Sequence, residues 1–440
     1  MKLGILFFGR KRPGFDPDWG KEIERKVREQ TAGSELDTRV HDSYVVDEAS
    51  LCDAVDALRA ADVDVPVVVQ PTMSDGRLAP RLGQLWDGPL VLWATPERPG
   101  ADKVTACSLV GTHVFAANLR QLGRPFELAY GMPGTPEAEA EVQDAARVAY
   151  ALRTVRKAKL GLIGYHAPGF IDMHTDPFDL SAQFGAQMWH TGLQDLFDRM
   201  QAVPDTDVDA DVETVLGLGL PMDNVEKADL GVNSRFYLAV KALAEEEQLD
   251  GLALREWPEL PKLQGQWVYL AIARLLDEGF PVSCEGDVDG ALTSLVGCAF
   301  DLGPGYLSDW LAHDDETITL WHGGCAPFYM CGAPRIGRHF NSGTPCVVDA
   351  QLTPGQPLTL CRIWRCDGMY HLVAEEAVSR EPHQPLAGTT GVAEMLWREP
   401  REWFHELCMA GMPHHLVAFP SHCGPLWRRF GALAGLALAD

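Results

Sequence analysis

The sequence is poor in positive charge: 37 Lys and Arg stand against 62 Asp and Glu, giving a formal net charge of −25 over 440 residues. Such a chain repels a phosphate backbone, and no Lys/Arg-rich stripe offsets the excess locally, so nucleic acid is not an expected partner. Long apolar runs are missing too. None approaches the roughly 20 residues that cross a bilayer, and the tail FGALAGLALA is about half that length, so no membrane partner is expected. The opening MKLGILFFGRKRPGF runs from a short apolar stretch into Arg10, Lys11 and Arg12 with no small-residue cleavage site. It reads as a first buried strand rather than a secretory signal, and the protein as cytoplasmic. The 11 Cys form no C-x-x-C pair and no finger-like spacing. Reduced thiols, mostly buried as small apolar residues, are expected, not a structural zinc site. GLGLPM at Gly217 lacks the third Gly of a dinucleotide fingerprint, and no G-x-x-x-x-G-K-[ST] loop occurs.

What is present is the composition of a folded soluble protein, 46% hydrophobic and 22% charged, in a chain too long for one core. KLGILFFG, VPVVVQ and PLVLWAT read as buried strands, separated by the helical patterns DPDWGKEIERKVREQ and DEASLCDAVDALRAADV. A second alternation of strand and helix starts near KAKLGLIGYHAPGF and runs to VDGALTSLVG. From about residue 301 the pattern turns to strands punctuated by Pro and Gly, as in TPCVVDAQLTPGQPLTLCRIWRCDGMYHLVAEEAV. The expected class is α/β: two doubly wound (Rossmann-like) α/β domains followed by a β-rich C-terminal domain. The boundaries are an N-terminal α/β domain over 1–155, a second α/β domain over 156–300 with metal-binding acids, and a β-rich domain over 301–440 with a metal-binding His.

The chemistry is concentrated in PVSCEGDVDGALTS. Its short strand ends at Glu285 and Asp287, and the preceding strand, LALREWPE, brings Glu256 and Glu259 to the same edge, where open α/β sheets bind ligands. Carboxylates converging on one edge repel one another unless a cation or a proton is shared among them, and a divalent metal is the economical explanation. Asp289 is expected to cap the following helix and Glu256 to be structural, which leaves Glu259, Glu285 and Asp287 as the functional acids. Among the 14 His, His322 in LWHGGCAP precedes two Gly that allow a backbone turn to approach a ligand. His414 and His415 open a strand, so that one is expected to look into a site while the other packs outward.

Together these stretches resemble the L-fucose/L-arabinose isomerase-like family of metal-dependent aldose–ketose isomerases. GRKRPGFD, VVVQPTMSDG, VLWATPERPG and CSLVG follow in the order of its first domain. GLIGYHAPGF, REWPE and LLDEGFPVSCEGDVDGALTSLVG are similar to its second, and LWHGGCAP and MPHHLVA to its last. The resemblance implies a Mn2+ or Mg2+ site made by Glu259 and Asp287, with Glu285 as a rival for either position, and by the imidazole of His415. Glu259 and Asp287 would be catalytic, and His322, Arg12, Trp257 and Gln264 would contact the sugar. It further implies a homo-oligomer, trimer or hexamer, acting on a small-molecule sugar. The chemistry fits independently: moving a proton between C1 and C2 builds charge on oxygen, which a hard divalent cation stabilises while one carboxylate acts as base. Other functions remain open for the same residues, namely a sugar-binding or regulatory protein without turnover, or a metal-dependent lyase or hydrolase on a sugar-derived substrate. A deoxy- or sulfo-sugar is among the substrates that fit.

Overall fold

The computed structural model describes residues 1–11, 14–33 and 36–439, and the chain divides into two compact units, Met1–Thr154 and Val155–Asp440. Arg12 lies outside the described residues.

In the first unit β1 (Lys2–Phe7), β2 (Asp37–Val40), β3 (Val65–Gln70), β4 (Leu90–Ala94) and β5 (Phe126–Tyr130) form one parallel sheet, ordered β2-β1-β3-β4-β5. Its three central strands are continuous apolar runs because helices cover both faces. Ile5, Val67, Val69 and Trp93 face one core, and Leu6, Val68, Leu92 and Phe115 the other. Helix Glu48–Ala60 begins where its capping chemistry predicts: the Asp47 carboxylate accepts the Ser50 N–H at 2.9 Å and the Ser50 hydroxyl accepts the Asp47 N–H at 3.1 Å. The edge strands β2 and β5 carry little strand signal, since DTRV and FELAY are mostly half-buried or exposed.

The second unit opens with β6 (Lys159–Ile163), β7 (Gln187–Thr191), β8 (Gly251–Leu254) and β9 (Val282–Ser283), a parallel sheet ordered β7-β6-β8-β9. Nine further strands follow: β10 (Tyr306–His313), β11 (Thr317–His322), β12 (Cys331–Arg338), β13 (Pro345–Leu352), β14 (Pro357–Cys366), β15 (Met369–Arg380), β16 (Thr389–Met395), β17 (His415–Phe419) and β18 (Ala437–Leu438). Because β16 pairs with both β11 and β15, the circuit β16-β11-β10-β17-β14-β15 closes into a six-stranded barrel. Closure removes sheet edges, and Tyr306, Leu320, Leu360, Trp364, Val373 and Leu416 belong to the core cluster of these strands. Helix Val288–Ala299, buried along nearly its whole length, touches β6 and β8 of the parallel sheet and β14 and β17 of the barrel. The β-rich segment is thereby part of one compact unit with the second α/β sheet. Among the described residues no helix is long and apolar enough to cross a membrane.

Candidate metal centre

Parallel strands β8 and β9 end side by side, at Leu254 and Ser283. After β9 the chain reverses through Glu285 and Gly286, whose φ angles are 63° and 78°. A Cβ on Gly286 would stand 2.2 Å from the Tyr165 carbonyl oxygen, so only glycine lets the turn pass the segment after β6. Two backbone bonds hold it, Gly286 N–H to Leu254 O at 3.0 Å and Ala167 N–H to Glu285 O at 2.9 Å. The Glu285 carboxylate accepts the Trp257 indole N–H on Oε1 at 2.9 Å and brings Oε2 to 3.3 Å from His414 Nε2 and 3.4 Å from His415 Nε2.

The antiparallel pairing of β10 with β17 sets Asp309 opposite His415. Asp309 Oδ1 lies 3.5 Å from His415 Nε2 and 3.8 Å from His414 Nε2. On the far side of each ring stands another carboxylate: Asp172 Oδ2 is 2.8 Å from His414 Nδ1, and Asp287 Oδ2 is 3.0 Å from His415 Nδ1. In a neutral imidazole a carboxylate there holds the ring proton on Nδ1, which leaves Nε2 as the nitrogen able to bind a cation. His415 Nε2 is buried and has no hydrogen-bond partner among the described residues. Potential ligand atoms of Glu285, His414 and His415 lie within 4.8 Å of one another, as do those of Asp309, His322 and His415. An orphaned imidazole nitrogen between two carboxylates, in a set of oxygen and nitrogen donors, fits a hard divalent cation.

Electrostatics separate the acids. Burial alone would raise the pKa of Glu285, but His414 and His415 outweigh it and hold the carboxyl below its usual range. Fully buried Glu256 is pushed up to about 8 by burial and by the charge of Glu285. Its Oε2 accepts the Glu285 backbone N–H at 2.7 Å, and its Oε1 the Tyr269 hydroxyl at 3.3 Å. Burial would lower His415, yet Asp287 and Glu285 raise it to about 9, so the spot favours positive charge.

This arrangement redistributes the roles expected from the sequence. Asp287, expected to bind metal, caps helix Val288–Ala299 through the Gly290 N–H at 2.9 Å and takes a two-pronged ion pair from Arg362 at 2.5 and 2.7 Å. With His415 Nδ1 on the same carboxylate, both Asp287 oxygens have partners within the protein. Asp289, expected as the cap, lies buried in the first turn near the Tyr370 hydroxyl at 3.4 Å, and burial pushes it up to about 7. Glu259 belongs to neither cluster: it starts the short helix Glu259–Gln264 and pairs with Arg255 in two-pronged fashion. Glu256, expected to be structural, is the acid of that strand that meets Glu285. Trp257 and His322 stand at the site, whereas Gln264 lines a cleft of about 480 Å³ with Asp205 and Arg235.

The two histidines depart from strand alternation because β17 begins only at His415. His414 precedes it, the rings are 4.4 Å apart between centroids, and both present Nε2 to Glu285. A Cβ on Gly323 would meet the Tyr269 ring at 2.5 Å, so the glycine makes room for that ring. Asp172 and Asp309 had no local signal to find them by, since each acts through a partner distant in sequence. Arg335 and Arg338 are paired with Asp223 and Asp229.

No family model matches the chain. It is similar to the sulfoquinovose isomerase of Priestia aryabhattai, 22% identical over 425 residues that cover 94% of this chain and 93% of that one. The sulfoquinovose isomerase of Alkalicoccus urumqiensis is 25% identical over 385 residues, 86% of each chain. The L-arabinose isomerase of Acidothermus cellulolyticus is 22% identical over 358 residues, 74% of this chain and 69% of its own. These similarities support the L-fucose/L-arabinose isomerase-like family to which the motifs pointed.

Proposed function

We propose that this chain is a sugar isomerase interconverting an aldose and a ketose, with a sulfonated hexose of the sulfoquinovose kind as its substrate and Mn2+ or Mg2+ as its cofactor. The observation that carries the reading is the convergence of Glu285, His414, His415 and Asp309, with His415 Nε2 buried and unbonded. Relatives called sulfoquinovose isomerase that align with 86% to 94% of the chain support the substrate class. Glu285 and His415, with His414, Asp309 or His322 completing the set, would hold the cation, which would supply Lewis-acid stabilisation of the charge that develops on the sugar's oxygen.

The chain's own residues supply the rest. Isomerisation through an ene-diol moves one proton between C1 and C2 and a second between the hydroxyl oxygens O2 and O1, and Glu256 is the group assigned to carry the carbon-bound proton. As a carboxylate it takes the proton from carbon; as a carboxylic acid it returns it to the neighbouring carbon. Tyr269 at Oε1 and the Glu285 N–H at Oε2 fix its orientation. Trp257 pins one oxygen of Glu285, leaving the other toward the imidazoles. Buried His322, its ring 5.6 Å from that of His415 between centroids, would offer a ring nitrogen to sugar hydroxyls. The reading includes a cytoplasmic homo-oligomer, trimer or hexamer, as the resemblance implies.

The test is incubation of the purified protein with sulfoquinovose, L-arabinose and L-fucose in separate reactions with Mn2+, followed by NMR. The expected result is conversion of sulfoquinovose to its ketose, with little from the two neutral sugars. A sugar that binds but never turns over would instead favour a binding protein.

A further inference from the structure

A second cluster, made of soft donors, shares His322. Cys284, the residue before Glu285, and Cys325, three residues after His322, are each 1% exposed. Their Sγ atoms are 3.7 Å apart, and Cys325 Sγ is 3.4 Å from His322 Nδ1. Potential ligand atoms of all three residues lie within 4.8 Å of one another. A tetrahedral ion with metal–sulfur bonds of about 2.3 Å and a metal–nitrogen bond of about 2.0 Å separates its two sulfurs by about 3.8 Å and sulfur from nitrogen by about 3.5 Å. The two observed edges match those values. The three side chains come from the end of β9, the end of β11 and the turn after it, so the fold assembles a spacing that no local Cys pattern encodes.

We propose that Cys284, Cys325 and His322 form a binding site for a thiophilic d10 cation, Zn2+ or Cd2+, separate in ligand chemistry from the oxygen-rich cluster of Glu285 and Asp309. Thiolate ligands select such ions, whereas carboxylates suit Mg2+ and Mn2+. On binding, each thiol loses its proton to solvent as its sulfur–metal bond forms, two protons per ion, and no electron is transferred. The competing explanation of the same distances is a chain of hydrogen-bonded thiols ending on His322, which binds no metal.

Cd2+ separates the two. The reduced, full-length protein, freed of metal by EDTA and held in excess Mg2+, is titrated with Cd2+ while the thiolate-to-cadmium charge-transfer band is followed in the ultraviolet. The expected band grows with the first equivalent, is lost in Cys284→Ser and in Cys325→Ser, and survives in the controls Cys361→Ser and Cys408→Ser. A measurement on the unaltered chain guards against misfolded variants: its bound 113Cd should resonate in the range set by two thiolates, not that of an oxygen site. Absence of the band at one equivalent, its persistence in both cysteine variants, or an oxygen-type 113Cd resonance would overturn the proposal. The readout is spectroscopic, so it stands whatever sugar the protein turns over.

Discussion

Asp172 Oδ2 lies 2.8 Å from Nδ1 of His414, although 242 residues separate them. The carboxylate orients an imidazole whose opposite nitrogen faces Glu285, an arrangement repeated by Asp287 and His415. Supporting carboxylates of this kind are worth about 10- to 100-fold in metal affinity. Asp172→Asn should therefore weaken Mn2+ binding by about that factor in calorimetric titration while leaving the far-ultraviolet circular dichroism intact. Unchanged affinity would remove Asp172 from the site.

The redistribution of acids makes a contrast. Mn2+ that binds only the folded chain stabilises it, by about 2.7 kcal/mol at 100 times its dissociation constant. The melting temperature should fall with EDTA and recover with Mn2+. That recovery should vanish in Glu285→Gln and persist in Glu259→Gln, whose native side chain is occupied by Arg255. The reverse result would return Glu259 to the metal.

Arg362 and Asp287 are both fully buried and meet through two hydrogen bonds. Removing the cation in Arg362→Met strands a carboxylate without its partner, which costs about 3–5 kcal/mol. Urea denaturation measures the loss, and because Asp287 also steadies His415, Mn2+ affinity should drop with it.

Proton transfer by Glu256 predicts that Glu256→Gln, which keeps the size and the acceptor for the Glu285 N–H, loses turnover by about 10²- to 10⁴-fold. In D2O the unaltered enzyme should place solvent deuterium on the product carbon, seen by NMR. Product free of deuterium together with a fully active variant would exclude Glu256 as the carrier.

The first unit offers a pH test of its own. Burial would raise the pKa of Glu97, but hydrogen bonds from the Thr105 hydroxyl and from the backbone of Thr105, Ala106 and Cys107 outweigh it and lower it from 4.5 to about 2. A carboxyl with a depressed folded-state pKa stabilises the fold above its unfolded value and loses that contribution as pH falls through the folded one. The stability difference between the natural chain and Glu97→Gln, measured in urea, should thus be full above pH 4.5 and close as pH falls toward 2.

Sequence alone determined the elements that are apolar on both faces. β1, β3 and β4 are readable because helices on both sides require continuous hydrophobic runs, and Glu285, His322 and His415 because they sit where strands end or begin. The half-exposed β2, β5 and β7 carry no such pattern, since an edge strand needs only partial burial. Which acid faces the site was decided by tertiary structure. The positive φ angles of Glu285 and Gly286 aim the first carboxylate at the histidines, and Arg362, 75 residues farther along the chain, occupies the second. Asp309 and Asp172 reach the same spot through strand register and long-range contact. A carboxylate's role depends on what desolvates and pairs it, and those neighbours are brought together only by the fold.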